Sequence, residues 1–555
     1  MKLITSLAKK TGLLLVCILL LGIFFRTYQI SSNPPSLNWD EVSIGYNAFS
    51  ILNTGKDEFG NRFPLYFRSL DDYKMPVYVY ATVIAEAVFG LTDFAVRVTS
   101  LVAGILLIYF IYILALELFV NRVIALCSAA VLAIFPWNIE FSRMASEANV
   151  ALLFCVLGII AFLKGVKGSR WFIILSICSF GLSAYTYLSF RIISPIVGLG
   201  LVILYSEIFK RNKRLLMFVL MPAIFLGALL LRDSLSPDVR IRFSGTNFLS
   251  HSSELIEINE AEMKQDGKLG INIPRRIIHD SPYISNLRII SRAYLSHFSF
   301  EFLLFGDGHK QESSIFSGLM YMWMVPFVLY GLFRLFCQFG SKVYWIVLLL
   351  FFVPPIPASL TWDVPHAIRT IGLTIPFSLM TGMGLYYFIQ RLFYQKSLYA
   401  SVSILLLMSV ILFGEVYIFY HQYYIHVPVE RSHHWQYSRK DMTQYLESVK
   451  HKYNKIIIST ELEWPYAFML YYSKYDPVKY LSQGGTKSGG WDSQENTYDK
   501  YEFRRIDYDR DSLLPNVLMV GTPDDFSKRN GFIRTFHYLN GLQAIQVFES
   551  HNTGL

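Results

Sequence analysis

Val77-Tyr-Val-Tyr-Ala-Thr-Val-Ile-Ala-Glu86-Ala-Val-Phe89 is the stretch on which the fold turns. As a helix it reaches only about 20 Å, short of the roughly 30 Å hydrocarbon core of a bilayer. It carries Glu86 and ends at Gly90, so a span and an in-plane amphipathic segment both fit it. Basic residues separate the two. With Lys9 and Lys10 on the cytoplasmic side and this stretch in the interface, Arg122, Lys164/Lys167/Arg170, Lys210/Arg211/Lys213/Arg214, Lys342 and Arg391/Lys396 all face the cytoplasm. If it crossed, the Lys210–Arg214 cluster would face outward, against the bias of short cytoplasmic loops toward lysine and arginine. The expectation is therefore eleven spans, N-terminus inside and C-terminus outside.

The chain around this stretch is that of a polytopic membrane protein. It has 555 residues, 53% of them hydrophobic, and a mean hydropathy of +0.38, which excludes a soluble enzyme. The formal charge of +9 falls in short loops between apolar runs, as membrane orientation requires, and does not indicate nucleic-acid binding. Cys17, Cys127, Cys155, Cys178 and Cys337 lie in or at the ends of apolar segments and offer neither a disulfide framework nor a CxxC metal site. Leu13–Phe25, preceded by Lys9 and Lys10, is read as an uncleaved first span because no small-x-small site follows it.

Further spans are expected near 95–119, 123–137, 149–163, 171–189, 192–209, 215–231, 316–336, 343–359, 370–390 and 397–420. A long outer loop, with Pro274-Arg275-Arg276 and Gly306-Asp307-Gly308-His309, covers about 232–315. The first outer loop covers about 31–94. Residues 1–420 thus form the transmembrane domain and 421–555 a small extracytoplasmic α/β domain. In the latter, 441–450 reads as a helix and 455–460 and 516–521 as buried strands. Ile533–Leu539 and Leu542–Phe548 read as a hairpin turned at Asn540-Gly541.

This sidedness, set by loop lysines and arginines, places every interesting polar residue outside. Asn38-Trp39-Asp40-Glu41 opens the first loop. Asn38 with Glu41 fits a capping box, and a helix start also fixes a carboxylate rigidly. Adjacent helical side chains point about 100° apart, so the two acids cannot share one task. Asp40 is taken as a base, and Glu41 as its orienting partner or an ion ligand. Lys74, after Asp71-Asp72-Tyr73, either snorkels at the lipid boundary or holds a phosphate. Arg143 and Glu147 stand four apart and fit either a helical salt bridge or a site at a span mouth. Tyr185 and Tyr187 before Arg191 suit interfacial anchoring or sugar stacking. In Asp363-Val-Pro-His366-Ala-Ile-Arg369, His366 and Arg369 suit a phosphate clamp. His433-His434 lacks a third ligand for a metal.

These residues resemble the GT-C superfamily of membrane glycosyltransferases. The resemblance rests on Trp39-Asp40-Glu41 with Tyr46 in the following helix, Lys74-x-Pro76, the run Leu91–Ser100 containing Arg97, Pro136 followed by Arg143, and Pro365-His366-x-x-Arg369. It is similar to the protein O-mannosyltransferase group and the lipid A aminoarabinose transferase, well over 10–230, loosely over 280–390 and poorly over the tail. It implies a mainly α bundle with in-plane helices in the first outer loop. It also implies inverting transfer of a sugar from a polyprenyl-phosphate donor to an acceptor outside the cytoplasmic membrane. By the same resemblance Asp40 is the base and Lys74 a phosphate ligand, and Arg143 sits at the second motif. Arg191, His366 and Arg369 join the donor-phosphate set, and Tyr46, Tyr73, Glu147, Tyr185 and Tyr187 the substrate set. Met75 departs from the usual two prolines after the lysine, and Glu147 stands where many members carry aspartate. No cofactor is required by the sequence, and a divalent cation remains compatible with it. The acceptor is a glycan, lipid or protein. The rival functions are a polyprenyl-linked glycan flippase, an O-antigen-ligase-like enzyme and a non-catalytic adaptor displaying the tail. A flippase predicts ionisable groups at mid-membrane depth, whereas the acids here crowd one interface.

Overall fold

The computed structural model describes residues 10–70, 72–211, 213–234, 253–270, 282–305, 318–361, 363–394, 398–487, 495–526 and 531–550. Asp71, Pro274-Arg275-Arg276 and Gly306-Asp307-Gly308-His309 lie outside the described residues. The protein is mostly helical and folds as two compact units. One comprises Met1–Arg26, Ala103–Ser142 and Ser146–Phe419, the other Thr27–Val102, Arg143–Ala145 and Tyr420–Leu555.

In the first unit and its continuations a helix stands at each of the eleven expected span positions. Among the described residues, five helical stretches are long and apolar enough to cross a membrane: Asp93–Phe119, Glu147–Gly165, Ser341–Ala358, Ile371–Phe393 and Tyr399–Glu430. A sixth is Arg122–Ile134 with Pro136–Ser142, bent by 58°. The bend has a sequence cause: Pro136 has no N–H to continue the helix and clashes with the preceding turn. Buried Arg26 takes up the carbonyls this leaves, with Nη1 donating to Ala133 O (2.9 Å) and Nη2 to Leu132 O (3.1 Å). Nη2 also reaches Asn138 Oδ1 (2.6 Å), beyond the break. A cation buried at the end of helix Thr11–Thr27 therefore serves a broken helix.

The second unit joins the segment Thr27–Val102 to the tail. The helix Trp39–Thr54 is followed by a short antiparallel hairpin, β1 (Phe67–Ser69) and β2 (Asp72–Lys74), and by the helix Pro76–Phe89. That helix starts on a proline, which suits a first turn whose N–H groups are unpaired anyway, and stops at Gly90 with φ 68°. Its 14 residues rise about 21 Å. It is two-faced: Tyr78, Val79, Thr82 and Glu86 are buried, while Ile84 and Val88 are exposed. Residues of the tail build a six-stranded sheet, β3 (Lys455–Ile458), β4 (Asn496–Tyr498), β5 (Tyr501–Phe503), β6 (Val517–Gly521), β7 (Arg534–His537) and β8 (Gln543–Glu549), in the order β4-β5-β3-β6-β8-β7. β3 runs parallel to β5 and β6, and the remaining pairs are antiparallel. The Asn540-Gly541 hairpin stands as expected, with Gly541 at φ 85°.

The tail is seated on the first loop by buried polar contacts. Gly45 lies so close to the Tyr471 ring of helix Pro465–Tyr472 that a Cβ there would collide with it. Tyr46 is buried and its hydroxyl donates to Tyr475 O at 3.1 Å, so it acts here as a strut between loop and tail. Glu58 is the hub. Its carboxylate accepts from Asn47 Nδ2 (2.8 Å) and Thr486 Oγ1 (2.7 Å), and its carbonyl accepts the Thr486 N–H (3.0 Å).

Burial pushes the Glu58 carboxyl up to about 7, against the opposing pull of the Thr486 and Asn47 hydrogen bonds. A carboxyl whose folded pKa lies above its unfolded value favours folding while it is protonated. That favourable contribution is lost as pH rises from about 4.5 through about 7. The latch is therefore expected to loosen over this window, by on the order of 3 kcal/mol. Hydrogen exchange at the Thr486 amide, corrected for its intrinsic rate, should accelerate between pH 5 and 8, and Glu58→Gln should flatten that dependence. An unchanged slope in Glu58→Gln contradicts the assignment.

Candidate functional site

The site starts from the turn that begins helix Trp39–Thr54. Asn38 Oδ1 accepts the Glu41 N–H (2.9 Å) and Glu41 Oε2 accepts the Asn38 N–H (3.2 Å), a complete capping box. Glu41 is fully buried, and its oxygens are used further: Arg97 donates from Nε to Oε1 and from Nη2 to Oε2, both at 2.9 Å, and the Ala145 N–H donates to Oε1 at 2.8 Å. Arg97 in turn holds Pro34 O and Ser36 O. One carboxylate thus binds the helix start, the chain entering it, the start of the next long helix and the Arg143–Ala145 turn into a single piece.

Asp40, one residue earlier and about 100° round the helix, is oriented differently. Its side chain is 54% exposed and forms an ion pair with Lys74, whose side chain is 7% exposed. Lys74 ends β2, directly before the Met75-Pro76 helix start, and the hairpin carrying it is fixed to helix Trp39–Thr54 where the hydroxyls of Ser43 and Ser69 meet at 2.5 Å. The two acids are therefore divided as their helical spacing requires: Glu41 structural, Asp40 accessible. Tyr73 stands beside Lys74 in β2, half-buried, and pairs in register with Arg68.

Arg143 is wholly buried in the same unit. Its Nη2 donates to Asn33 O (2.7 Å), and its guanidinium lies over the rings of Tyr424 (4.8 Å) and Tyr423 (5.7 Å). Asn33 Nδ2 closes the loop by donating to Tyr423 O at 2.9 Å. Glu147 begins the helix Glu147–Gly165, capped by Ser146, and Arg143 precedes that helix in a turn.

The remaining expected residues belong to the first unit. Arg191 lies over the Tyr185 ring at 5.5 Å, and Tyr187 is half-buried in the turn between those two residues. His366 Nε2 is 3.5 Å from Asp363 Oδ2, and Arg369 Nη1 donates to Thr361 Oγ1 (2.7 Å) and Asp363 O (3.1 Å). Buried His297 accepts the His366 N–H at Nε2 (3.2 Å), while its Nδ1 meets Ala293 O (2.8 Å), which fixes its tautomer. Two participants escaped the sequence reading as site residues. Arg97 left a signal, a cation at the start of an apolar helix. His297 left none. Among the described residues no group of three or more His, Cys, Asp or Glu side chains is disposed to hold a metal ion. In the loop unit both acids already have cationic partners, Lys74 for Asp40 and Arg97 for Glu41.

Comparison with known proteins agrees with this architecture. Residues 73–230 match the family described as dolichyl-phosphate-mannose-protein mannosyltransferase. The structure of ArnT from Cupriavidus metallidurans bound to undecaprenyl phosphate is similar over 98% of both chains, with 10% identity and a TM-score of 0.52. The Archaeoglobus fulgidus oligosaccharyltransferase tethered to an acceptor peptide is similar over 84% of this chain, with 14% identity and a TM-score of 0.51, and this chain spans 64% of its length. The same archaeal enzyme in complex with an inhibitory peptide and a dolichol-phosphate gives 13% identity and a TM-score of 0.51. No curated protein sequence matches. The chain thus shares its fold with the solved ArnT and archaeal oligosaccharyltransferase structures.

Proposed function

We propose that this protein transfers a sugar from a polyprenyl-phosphate donor to an acceptor hydroxyl at the outer face of the cytoplasmic membrane, with its N-terminus inside and the tail outside. One observation carries the reading: an exposed carboxylate on a rigid helix start, paired with a lysine that is otherwise buried. Likeness to folds solved with undecaprenyl phosphate and with a dolichol-phosphate supports the choice of donor.

In this mechanism the lipid phosphate competes with Asp40 for Lys74. An ammonium is a point donor that can turn from a carboxylate to a phosphate without losing its ion pair. Donor binding thereby releases Asp40 as a base. Asp40 takes the proton from the acceptor hydroxyl as that oxygen attacks the anomeric carbon. The bond from that carbon to the phosphate oxygen breaks, and its electron pair leaves on the polyprenyl phosphate, where Lys74 meets the developing charge. Attack opposite the leaving group inverts the anomeric configuration. Arg143, in the unit of Lys74, is proposed as a further phosphate ligand and Tyr73 as a substrate contact; in the other unit Arg191, His366 and Arg369 are proposed as phosphate ligands and Tyr185, Tyr187 and Glu147 as substrate contacts. Tyr46 serves from behind, as the strut described above.

The test is transfer from a radiolabelled polyprenyl-phosphate sugar in membranes carrying Lys74 variants. Lys74→Met should raise the donor KM at least tenfold and abolish inhibition by free undecaprenyl phosphate, whereas Lys74→Arg should recover part of both. Unchanged donor KM and inhibition in Lys74→Met would contradict a phosphate-binding lysine.

A further inference from the structure

The tail supplies two tryptophans to the site, each from a turn in an uncommon backbone conformation. Glu463 and Trp464 are consecutive non-glycine residues at positive φ, 54° and 47°, immediately before helix Pro465–Tyr472. Gln436, next to Trp435, has φ 44°. Such conformations persist only where surrounding structure over-determines them, and they concentrate at functional sites. What these two turns achieve is specific. Trp435 lies with its ring 5.7 Å from the Arg97 guanidinium, behind the Glu41 hub. Trp464, itself buried, meets Trp39 edge-on, with ring centroids 5.4 Å apart and planes at 65°.

Trp39 is the residue before Asp40. It is half-exposed, and the Asp40 side chain that follows it is 54% exposed. Glu463, immediately before Trp464, is exposed, and the charge acting on its carboxyl is that of Arg439. An indole held from one side by a buried neighbour is a rigid platform at little entropic cost. A flat aromatic face one residue from an accessible carboxylate complements a ring with a C–H face and hydroxyl donors on its rim. An extended peptide instead calls for a sheet edge or a groove for alternating side chains.

We propose that Trp39, positioned by Trp464, is the platform on which a pyranose ring of the acceptor stacks to present its hydroxyl to Asp40. The acceptor is then a carbohydrate, and the tail domain is a wall of its subsite. This rests on the transfer reading above and adds the acceptor class to it.

The experiment is saturation-transfer NMR on the full-length protein in nanodiscs containing undecaprenyl phosphate. The probes are methyl α-D-mannopyranoside, methyl β-D-glucopyranoside and a serine- and threonine-containing heptapeptide. Saturation is expected to reach the ring protons of at least one glycoside and not the peptide. That signal should fall at least fivefold in Trp39→Leu, survive in Trp39→Phe, and fall in Trp464→Leu, where the platform has lost its buttress. Binding of undecaprenyl phosphate, followed on the same samples, should be unchanged in all three variants. Full glycoside signal in Trp39→Leu, no glycoside signal in the wild type, or preferential saturation of the peptide overturns the acceptor proposal. Failure of undecaprenyl phosphate to bind the wild type strikes instead at the donor reading.

Discussion

Asp40→Asn is expected to reduce sugar transfer by about three orders of magnitude, within the range a positioned general base supplies, while leaving the protein folded and able to bind donor. The reasons are geometric. The Asp40 side chain is more than half exposed and plays no part in the capping box, which uses Asn38 and Glu41. The amide is close to isosteric and can still accept a hydrogen bond from Lys74, so the fold should be nearly indifferent to the change. What disappears is the ability to take a proton. The informative comparison is slow donor hydrolysis against transfer to an acceptor hydroxyl: the variant should retain donor binding and lose transfer. A folded Asp40→Asn protein that transfers sugar at the wild-type rate removes Asp40 from the role of base.

The second large effect lies at Arg97. Replacing it by methionine leaves Glu41 fully buried with only backbone N–H groups to meet its charge, and breaking a buried ion pair in this way costs about 3–5 kcal/mol. Arg97→Met should therefore lower stability and activity together, because Glu41 fixes the helix start that aims Asp40. Glu41→Gln is the complementary change, since it keeps the shape but weakens two charge-assisted hydrogen bonds. The double variant Arg97→Met/Glu41→Gln should be more stable than Arg97→Met alone, since no buried charge is then left unpaired. Thermal unfolding of the three variants in one detergent measures the coupling. Strict additivity would show that the two side chains do not act as a pair.

The short-range parts of this architecture were legible in the sequence, and the long-range ones were not. The capping box needs only residues 38 and 41, and the Asn540-Gly541 hairpin only a turn between two alternating runs. Both stand as read. The stretch Val77–Phe89 is one helix, running from Pro76 to the Gly90 that stops it. The division between Asp40 and Glu41 followed from helical geometry, but the partner of Glu41 did not: Arg97 lies 56 residues away, and no local pattern couples the two. Tyr46 shows the opposite limit. An aromatic residue in the first loop suited substrate contact, but its hydroxyl is taken by Tyr475 of the tail, because a tail seated on the first loop leaves no periodic trace in either segment. His297 is of the same kind, a buried histidine whose partner loop begins more than sixty residues later.

The account depends most on what happens to the Asp40–Lys74 pair when donor lipid arrives. The most direct measurement is an electron cryomicroscopy structure of the wild-type protein with undecaprenyl phosphate bound. The account predicts the Lys74 ammonium on a phosphate oxygen, within charge-assisted hydrogen-bond distance, and the Asp40 carboxylate released toward Trp39 and the acceptor side. A phosphate bound elsewhere, with the Asp40–Lys74 pair intact, would contradict it.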